Sequence, residues 1–208
     1  MNKNDEKLLT HFENIESNKS LSESIIKIQN NINIYGDSHV IAITAPKDDL
    51  ALTLSSYALS KIYASKNART LLVDCNMYNP MLRDVINSSN NKLCLNNILD
   101  KNINFNDVIT HISDNLDVVF CDTKDYPTEI FKSEEYLNFI ESVKTTYEHV
   151  VLIMPTVIEH QDMLLVKTII GSSLLVVRRN RVSKKMLFDA VQFLTANNMA
   201  YVGAIYLK

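Results

Sequence analysis

HVIAITAPKDDLALTL, residues 39–54, joins an apolar run typical of a buried strand to the start of a helical pattern. A phosphate-binding loop requires this order of strand, loop and helix, because backbone N–H groups at the helix N-terminus hold the phosphates. Such a loop also needs glycines for close backbone approach and a lysine for the terminal phosphates. Here Asp49 and Ala51 stand at the glycine positions and Leu52 stands at the lysine position. The stretch therefore predicts the architecture of a nucleotide site without its chemistry.

Glycine is scarce in the whole chain. Average usage of about 7% would give roughly 15 glycines in a chain of this length. The sequence has three, at positions 36, 171 and 203, and none of them lies in 39–54. We therefore do not expect the loop to hold a phosphate through its backbone.

Composition excludes several classes of protein. A net charge of -3 gives no reason to expect a nucleic acid as a partner. Cys75, Cys94 and Cys121 are widely spaced and form no CxxC pair, so they indicate reduced thiols and neither a disulfide framework nor a zinc site. The N-terminus lacks the apolar core of a signal peptide, and no apolar run approaches the roughly 18 residues of a membrane span. These features predict a cytoplasmic protein.

Short apolar runs alternate with helical patterns along the chain. Strands are predicted at 40–44, 70–74, 116–121, 149–154, 173–178 and 201–207, and helices at 20–34, 52–66, 79–86, 105–112, 133–147, 161–169 and 183–197. This alternation predicts a doubly wound α/β fold, in which a mostly parallel sheet carries helices on both faces, as in P-loop NTPases. We expect residues 20–208 to form a single domain that follows a flexible segment, 1–19.

Two strand ends are candidate metal positions. Asp74 ends the strand 70–74, where an α/β fold can place a carboxylate over its ligand crevice and hold a Mg²⁺-bound water. The alternative is an aspartate that only caps the following turn, and the altered loop favours it. The strand 149–154 ends in Ile153 and Met154, which cannot bind magnesium and indicate a plain buried strand.

A basic cluster follows the strand 173–178. Arg178, Arg179 and Arg181, with two lysines at 184 and 185, are suited to a phosphate, an acidic partner or a membrane surface. A solvated turn between strand and helix is the more common structure for such a run. The five histidines show no metal-ligand spacing, and no Ser-His-Asp arrangement is indicated.

The chain resembles the bacterial tyrosine kinases (BY-kinases) of capsule and exopolysaccharide operons, which are relatives of the MinD/ParA group of P-loop ATPases. The likeness runs from about Asn18 to the last residue and depends on the order and spacing of several passages. These are SES at 22–24, ITAP at 43–46, LLVD at 71–74 followed by Pro80, NLDV at 115–118, PTEI at 127–130, HVVLIMPTV at 149–157 followed by Asp162, LLVVR at 174–178 and GAI at 203–205.

The departures from this family fall at its functional positions. Walker A lacks both glycines and the lysine, and leaves a relic loop of Lys47, Asp49, Ala51, Leu52 and Thr53, in which Thr53 alone is of the ligand type. Walker A′ keeps Asp74 as a relic catalytic position, but has Asn76 for a second aspartate and Tyr78 for an arginine. Walker B has Ile153 in place of an aspartate, and Ile26 and Gln29 replace arginines of the ring-forming helix. Asp48 and Asp49 also place two carboxylates where a triphosphate would lie, so Coulomb repulsion should replace attraction.

The resemblance and these departures together predict a pseudokinase of polysaccharide synthesis and export. We expect no catalytic residue, no metal and no cofactor. The expected partner is the cytoplasmic tail of a membrane polysaccharide co-polymerase (a chain-length regulator) or an active BY-kinase, and any membrane association would be made through that partner. One alternative is a residual tyrosine kinase or ATPase that uses ATP and Mg²⁺ through Lys47. A MinD/ParA-like positioning adaptor is the other.

Partner contacts are predicted at two places. One is the basic cluster of Arg178, Arg179 and Arg181. The other is the amphipathic helix 20–34, through Glu23, Ile25 and Ile28. The apolar stripe of this helix has two alternative roles, which are a homo-oligomer contact and packing on the core of the same chain.

Overall fold

The computed structural model describes residues 19–37, 39–87, 93–100 and 102–207. Seven strands form one sheet, namely β1 (Val40–Thr44), β2 (Thr70–Asp74), β3 (Ile109–Ser113), β4 (Leu116–Val119), β5 (His149–Ile153), β6 (Ser172–Arg178) and β7 (Tyr201–Leu207). Their order across the sheet is β3-β4-β2-β5-β1-β6-β7. β3 runs antiparallel to β4, and the other neighbouring pairs are parallel. Residues 1–18 of the predicted flexible segment lie outside the described residues.

Six α-helices lie among the described residues, one before β1 and five between strands. They are α1 (Lys19–Tyr35), α2 (Leu50–Ser65), α3 (Leu82–Ile86), α4 (Thr128–Phe131), α5 (Glu134–Lys144) and α6 (Lys184–Ala196). Ser133 and Ser183 cap α5 and α6 by accepting hydrogen bonds from backbone N–H groups in the first turn. Shorter 3-10 helices span Leu95–Leu99, Phe105–Val108 and Asp162–Ile169. No helix among these ranges is long and apolar enough to cross a membrane.

The two faces of the sheet carry separate apolar cores. Val73 of β2 and Phe139 of α5 belong to one core, which α6 completes through Leu194. Ile43 of β1 and Leu59 of α2 belong to the other, which α1 completes. Both faces of the central strands are therefore buried, as expected for parallel strands covered by helices. The prediction of a doubly wound, mostly parallel α/β sheet is confirmed.

One region differs from its predicted structure. Residues 105–112 were expected to be helical, but only a 3-10 turn, Phe105–Val108, forms there, and β3 begins at Ile109. Asn104 and Asp107 close the turn by a reciprocal capping arrangement. The chain then pairs antiparallel to β4 at the sheet edge. The apolar residues of 105–112 suit a helix pattern equally well, so periodicity alone does not separate the two structures.

The apolar stripe of α1 packs on the core of its own chain. Ile25 and Ile32 are buried with α2 and the sheet, and Ile28 is half-buried at the margin of that core. Gln29 is buried as well, and its side-chain oxygen accepts a hydrogen bond from Lys66 Nζ at 2.6 Å. Of the two alternatives for this stripe, the structure supports packing within the chain. Glu23 lies on the exposed side of α1.

Candidate functional site

The loop between β1 and α2 has the predicted strand-loop-helix form. Asp49 has extended backbone angles and is the N-cap of α2, where its carboxylate accepts a hydrogen bond from Ala51 N at 2.9 Å. The N-terminus of α2 therefore holds an anion, as the N-terminus of a phosphate-binding helix does. The anion in this protein is the side chain of its own N-cap residue.

Two arginines hold the same carboxylate. Arg178, the last residue of β6, places Nη1 at 2.9 and 3.2 Å from the two carboxylate oxygens of Asp49. Arg181 adds a longer contact, with Nε at 3.4 Å from Oδ2. Only 10% of the Asp49 side chain and 11% of the Arg178 side chain are exposed. Helix N-terminus and arginines together make an anion site that Asp49 already fills.

This pair corrects the structure expected for one residue of the basic cluster, Arg178, whereas the turn that follows is solvated as expected. A solvated turn was expected to be the more common outcome, but Arg178 is withdrawn from solvent and bound to Asp49. Arg179 is exposed, and Arg181 is exposed apart from its contact with Asp49. Of the three arginines predicted to bind a partner, two have charges engaged by Asp49. Sequence reasoning missed this pairing, because 129 residues separate Arg178 from Asp49.

Three other candidate positions of the loop are part of the core, and a fourth is exposed. Ala51, Leu52 and Thr53 are all buried, and Leu52, at the lysine position, is 1% exposed within the core that contains α1. Lys47 is exposed at the start of the loop. The first turn of α2 thus presents apolar surface to the protein interior where a kinase would have a phosphate-binding lysine.

Asp48 ties the loop to the segment after β2. Its carboxylate accepts hydrogen bonds from the side-chain amides of Asn76, at 3.2 Å, and of Asn79. Asn76 is the residue that replaces the second aspartate of Walker A′ in the family resemblance. The amide donates to Asp48, whereas an aspartate at this position would repel it, so the two substitutions are complementary.

Asp74 is a buried turn and helix cap. Its carboxylate accepts hydrogen bonds from Asn76 N at 3.0 Å and from Leu82 N, at the start of α3, at 3.2 Å. Cys121 also hydrogen-bonds to it. Burial raises the pKa of Asp74 to about 6, although these hydrogen bonds oppose the shift. These hydrogen bonds are the ones that the capping alternative predicts.

The Walker B position is apolar, and the later aspartate is used structurally. Ile153 and Met154 are fully buried at the end of β5. Asp162 accepts hydrogen bonds from the hydroxyls of Tyr78, at 3.0 Å, and Thr128, at 3.1 Å. The ring of Tyr78 stacks on His160 with 3.5 Å between centroids.

Burial and the neighbouring Asp162 together raise the pKa of Tyr78 to about 12, so the phenol keeps its proton and remains a donor. This cluster joins three segments at the carboxyl edge of the sheet. No residue spacing in the sequence indicates this cluster, in which Tyr78 stands out only as a departure from the arginine of the family resemblance.

Known proteins with similar sequences or structures have this fold. No family model matches the sequence. The chain is 20% identical over 207 residues to the tyrosine-protein kinase CpsD of Streptococcus agalactiae, which covers 96% of this chain and 90% of that protein.

Three solved structures extend the likeness. The kinase domain of Escherichia coli tyrosine kinase ETK superposes with a TM-score of 0.82 at 21% identity, covering 92% of this chain and 77% of that one. The chimerical protein CapA2B2 gives 0.84 at 22% identity, over 93% and 88% of the two chains. The MinD cell division protein of Aquifex aeolicus gives 0.62 at 16% identity, over 81% and 68%.

The structural likenesses show a shared fold, and the sequence match extends over nearly the full length of both proteins. The chain is thus similar over nearly its full length to a bacterial tyrosine kinase, and it shares the fold of bacterial tyrosine kinase domains and of MinD.

Proposed function

We propose that this protein is a pseudokinase that binds no nucleotide and acts through protein contacts in capsule or exopolysaccharide synthesis and export. The observation that carries the proposal is the Asp49 carboxylate at the N-terminus of α2, held by Arg178 and Arg181. A nucleotide phosphate would need this position and these donors, and it would meet a carboxylate there.

The energetics favour the internal anion over an external one. A phosphate bound beside Asp49 would add like charge in a partly desolvated place, where two unit charges 4 Å apart repel by about 4 kcal/mol at an effective dielectric constant near 20. Displacing the Asp49 side chain instead would break its contact with a buried arginine and its helix cap. Either route weakens nucleotide binding by a factor of hundreds or more, at about 1.4 kcal/mol per tenfold.

The proposed partner is the one that the resemblance to BY-kinases implies. We propose that the protein contacts the cytoplasmic tail of a membrane polysaccharide co-polymerase, or an active BY-kinase, so that it regulates or assembles the export machinery. The conserved architecture supports this role, because a complete α/β scaffold is present while the residues that handle phosphate are absent from it.

Isothermal titration with Mg-ATP and Mg-ADP tests the proposal. We expect no binding up to millimolar nucleotide, whereas the S. agalactiae kinase CpsD, titrated in the same buffer, serves as the positive control. Micromolar affinity for either nucleotide would refute the pseudokinase proposal.

The residual-kinase alternative rests on one observation, which is the exposed Lys47 at the start of the loop. If Lys47 supplies the missing charge, incubation with Mg-ATP should produce phosphotyrosine on this protein or on an added substrate. That product should disappear in Lys47→Ala and persist in Lys132→Ala, another exposed lysine. The absence of phosphotyrosine in the unaltered protein excludes this alternative.

A further inference from the structure

We propose that an acidic, aromatic-containing segment of a partner protein binds at the corner formed by the end of β7, the turn after β6 and the first turns of α6. This inference rests on the proposed function and specifies the chemistry of the partner. The corner is defined by Arg179, Lys184, Lys185, Phe188 and Tyr206, and we call it the β7–α6 corner.

Within the part of the chain that the structure describes, no ion pair neutralises the positive charge of this corner. Lys184 and Lys185 occupy the first turn of α6, which contains no acidic residue. Cations at a helix N-terminus are unfavourable, because the backbone N–H groups already give that end a partial positive charge. Asp189 is the single acid of α6, one turn after Lys185. An anionic ligand would therefore be stabilised here.

Two aromatic side chains at the corner are exposed. Phe188 of α6 is 66% exposed and Tyr206 of β7 is 57% exposed. Tyr206 pairs in register with Val177, whose side chain belongs to the core under α6, so both aromatic residues lie on the α6 side of the sheet. An aromatic anchor beside a polar rim is typical of a binding surface.

The basic turn and the strand end are adjacent. Arg179 N donates a hydrogen bond to Leu207 O at 2.8 Å, which places the first exposed arginine beside the end of β7. Arg178 is not part of this surface, because Asp49 holds it. The geometry therefore moves the predicted partner contact from Arg178 to Arg179 and the first turn of α6.

The open edge of β7 favours a polypeptide over a lipid surface. Among the described residues β7 pairs with β6 alone, so its outer N–H and C=O groups face away from the sheet. The register is regular from Gly203 to Leu207, after a shift near Gly203. An extended peptide can add to this edge as a further strand and place alternate side chains towards Phe188 and the lysines. A membrane cannot satisfy backbone groups in this way.

The test is fluorescence anisotropy with a labelled random copolymer of glutamate and tyrosine, in the absence of nucleotide. We expect saturable binding that weakens with added salt. Lys184→Glu with Lys185→Glu should reduce the affinity at least tenfold, and Phe188→Ser or Tyr206→Ser should each reduce it at least threefold. Lys132→Glu and Tyr126→Ser are matched controls, since both residues are exposed elsewhere and should leave binding unchanged.

Circular dichroism and the thermal midpoint establish that each variant is folded. Absence of copolymer binding, or equal binding by the charge-reversed protein, would overturn the proposal. Binding to phosphatidylglycerol vesicles that is lost in Lys184→Glu/Lys185→Glu, with copolymer binding unaffected, would also overturn it and assign the corner to a membrane. Because no nucleotide is present, these outcomes are independent of the ATP titration that tests the proposed function.

Discussion

Asp49 is stabilised by three contacts at once, namely the N-terminus of α2, Arg178 and Arg181. The side chains of Asp49 and Arg178 are almost inaccessible to solvent, so removal of either one leaves the charge of the other poorly hydrated. These contacts contribute to the stability of the folded state. The first consequence lies in the stability of the protein.

We predict that Asp49→Asn and Arg178→Met each lower the free energy of unfolding by about 3 kcal/mol, because each removes the nearest opposite charge from a nearly buried group. Because asparagine can still cap the helix, the decrease in the free energy of unfolding measures the loss of the Asp49 charge alone. The double variant should lose less than the sum of the two, and urea unfolding would measure this coupling. The more solvent-accessible pair Lys124–Glu129, with side chains 29% and 69% exposed, is the control, where the coupling should stay below about 1 kcal/mol. Additive losses for Asp49 and Arg178 would contradict the structure.

A second prediction concerns Asp74. Burial raises its pKa to about 6 in the folded protein, against 3.8 for an ordinary aspartate. Between about pH 4 and pH 6 the folded state keeps a proton that the unfolded chain has lost, so stability falls as the pH rises through this window and levels above it. The total change is about 3 kcal/mol at 1.36 kcal/mol per unit.

Asp74→Asn should remove this part of the pH dependence. Chemical unfolding of both proteins from pH 4 to pH 8 measures the difference between their stabilities, in which the other carboxylates cancel. Identical pH profiles would show that Asp74 titrates normally.

At the scale of elements, the apolar stripe of α1 had two alternative roles in the sequence, which were a contact between subunits and packing on the core of its own chain. Ile32 is fully buried against the core that contains α2, and Ile34, two residues later, is 69% exposed. The helix therefore offers a buried and an exposed isoleucine for direct comparison.

We predict that Ile32→Ala lowers the free energy of unfolding by about 2–4 kcal/mol, because it leaves a cavity in the core. Ile34→Ala should change it by less than about 0.5 kcal/mol. Sedimentation velocity should give the same mass for both variants and the unaltered protein. A change in oligomeric state in Ile32→Ala would show that the stripe is a contact between subunits.

The sequence could predict the elements whose periodicity has one solution. β1, β2 and β5 are short, rich in branched residues and bounded by polar turns, and Ser133 and Ser183 mark the starts of α5 and α6. The predicted helix 105–112 was wrong, because its apolar spacing fits both a helix and an edge strand.

The candidate site was predictable only in part. The loop positions follow from local order, but the Asp49–Arg178 and Tyr78–Asp162 contacts join distant segments, at separations of 129 and 84 residues. Such contacts depend on the order of strands in the sheet, and local patterns in a single sequence do not reveal that order.

At the scale of the whole molecule, the first turn of α2 is part of the core. Leu52 packs with α1 and the sheet. We predict that Leu52→Lys, which restores the residue type of a phosphate-binding loop, lowers the free energy of unfolding by several kcal/mol, because an ammonium group would be buried without a partner. Leu52→Met conserves volume and should lower it by less than about 1.5 kcal/mol.

Nucleotide should not rescue either protein. A ligand present at 100 times its dissociation constant adds about 2.7 kcal/mol, which in a chain of this size raises the thermal midpoint by roughly 5–10 °C. With 5 mM Mg-ATP we expect shifts below about 1 °C for the unaltered protein and for Leu52→Lys, since Asp49 still fills the anion site in both. A shift of several degrees in Leu52→Lys alone would mean that the lysine suffices to displace the Asp49 carboxylate. Nucleotide binding would then depend on the single side chain at position 52, and the apolar packing of α2 would not be what prevents it.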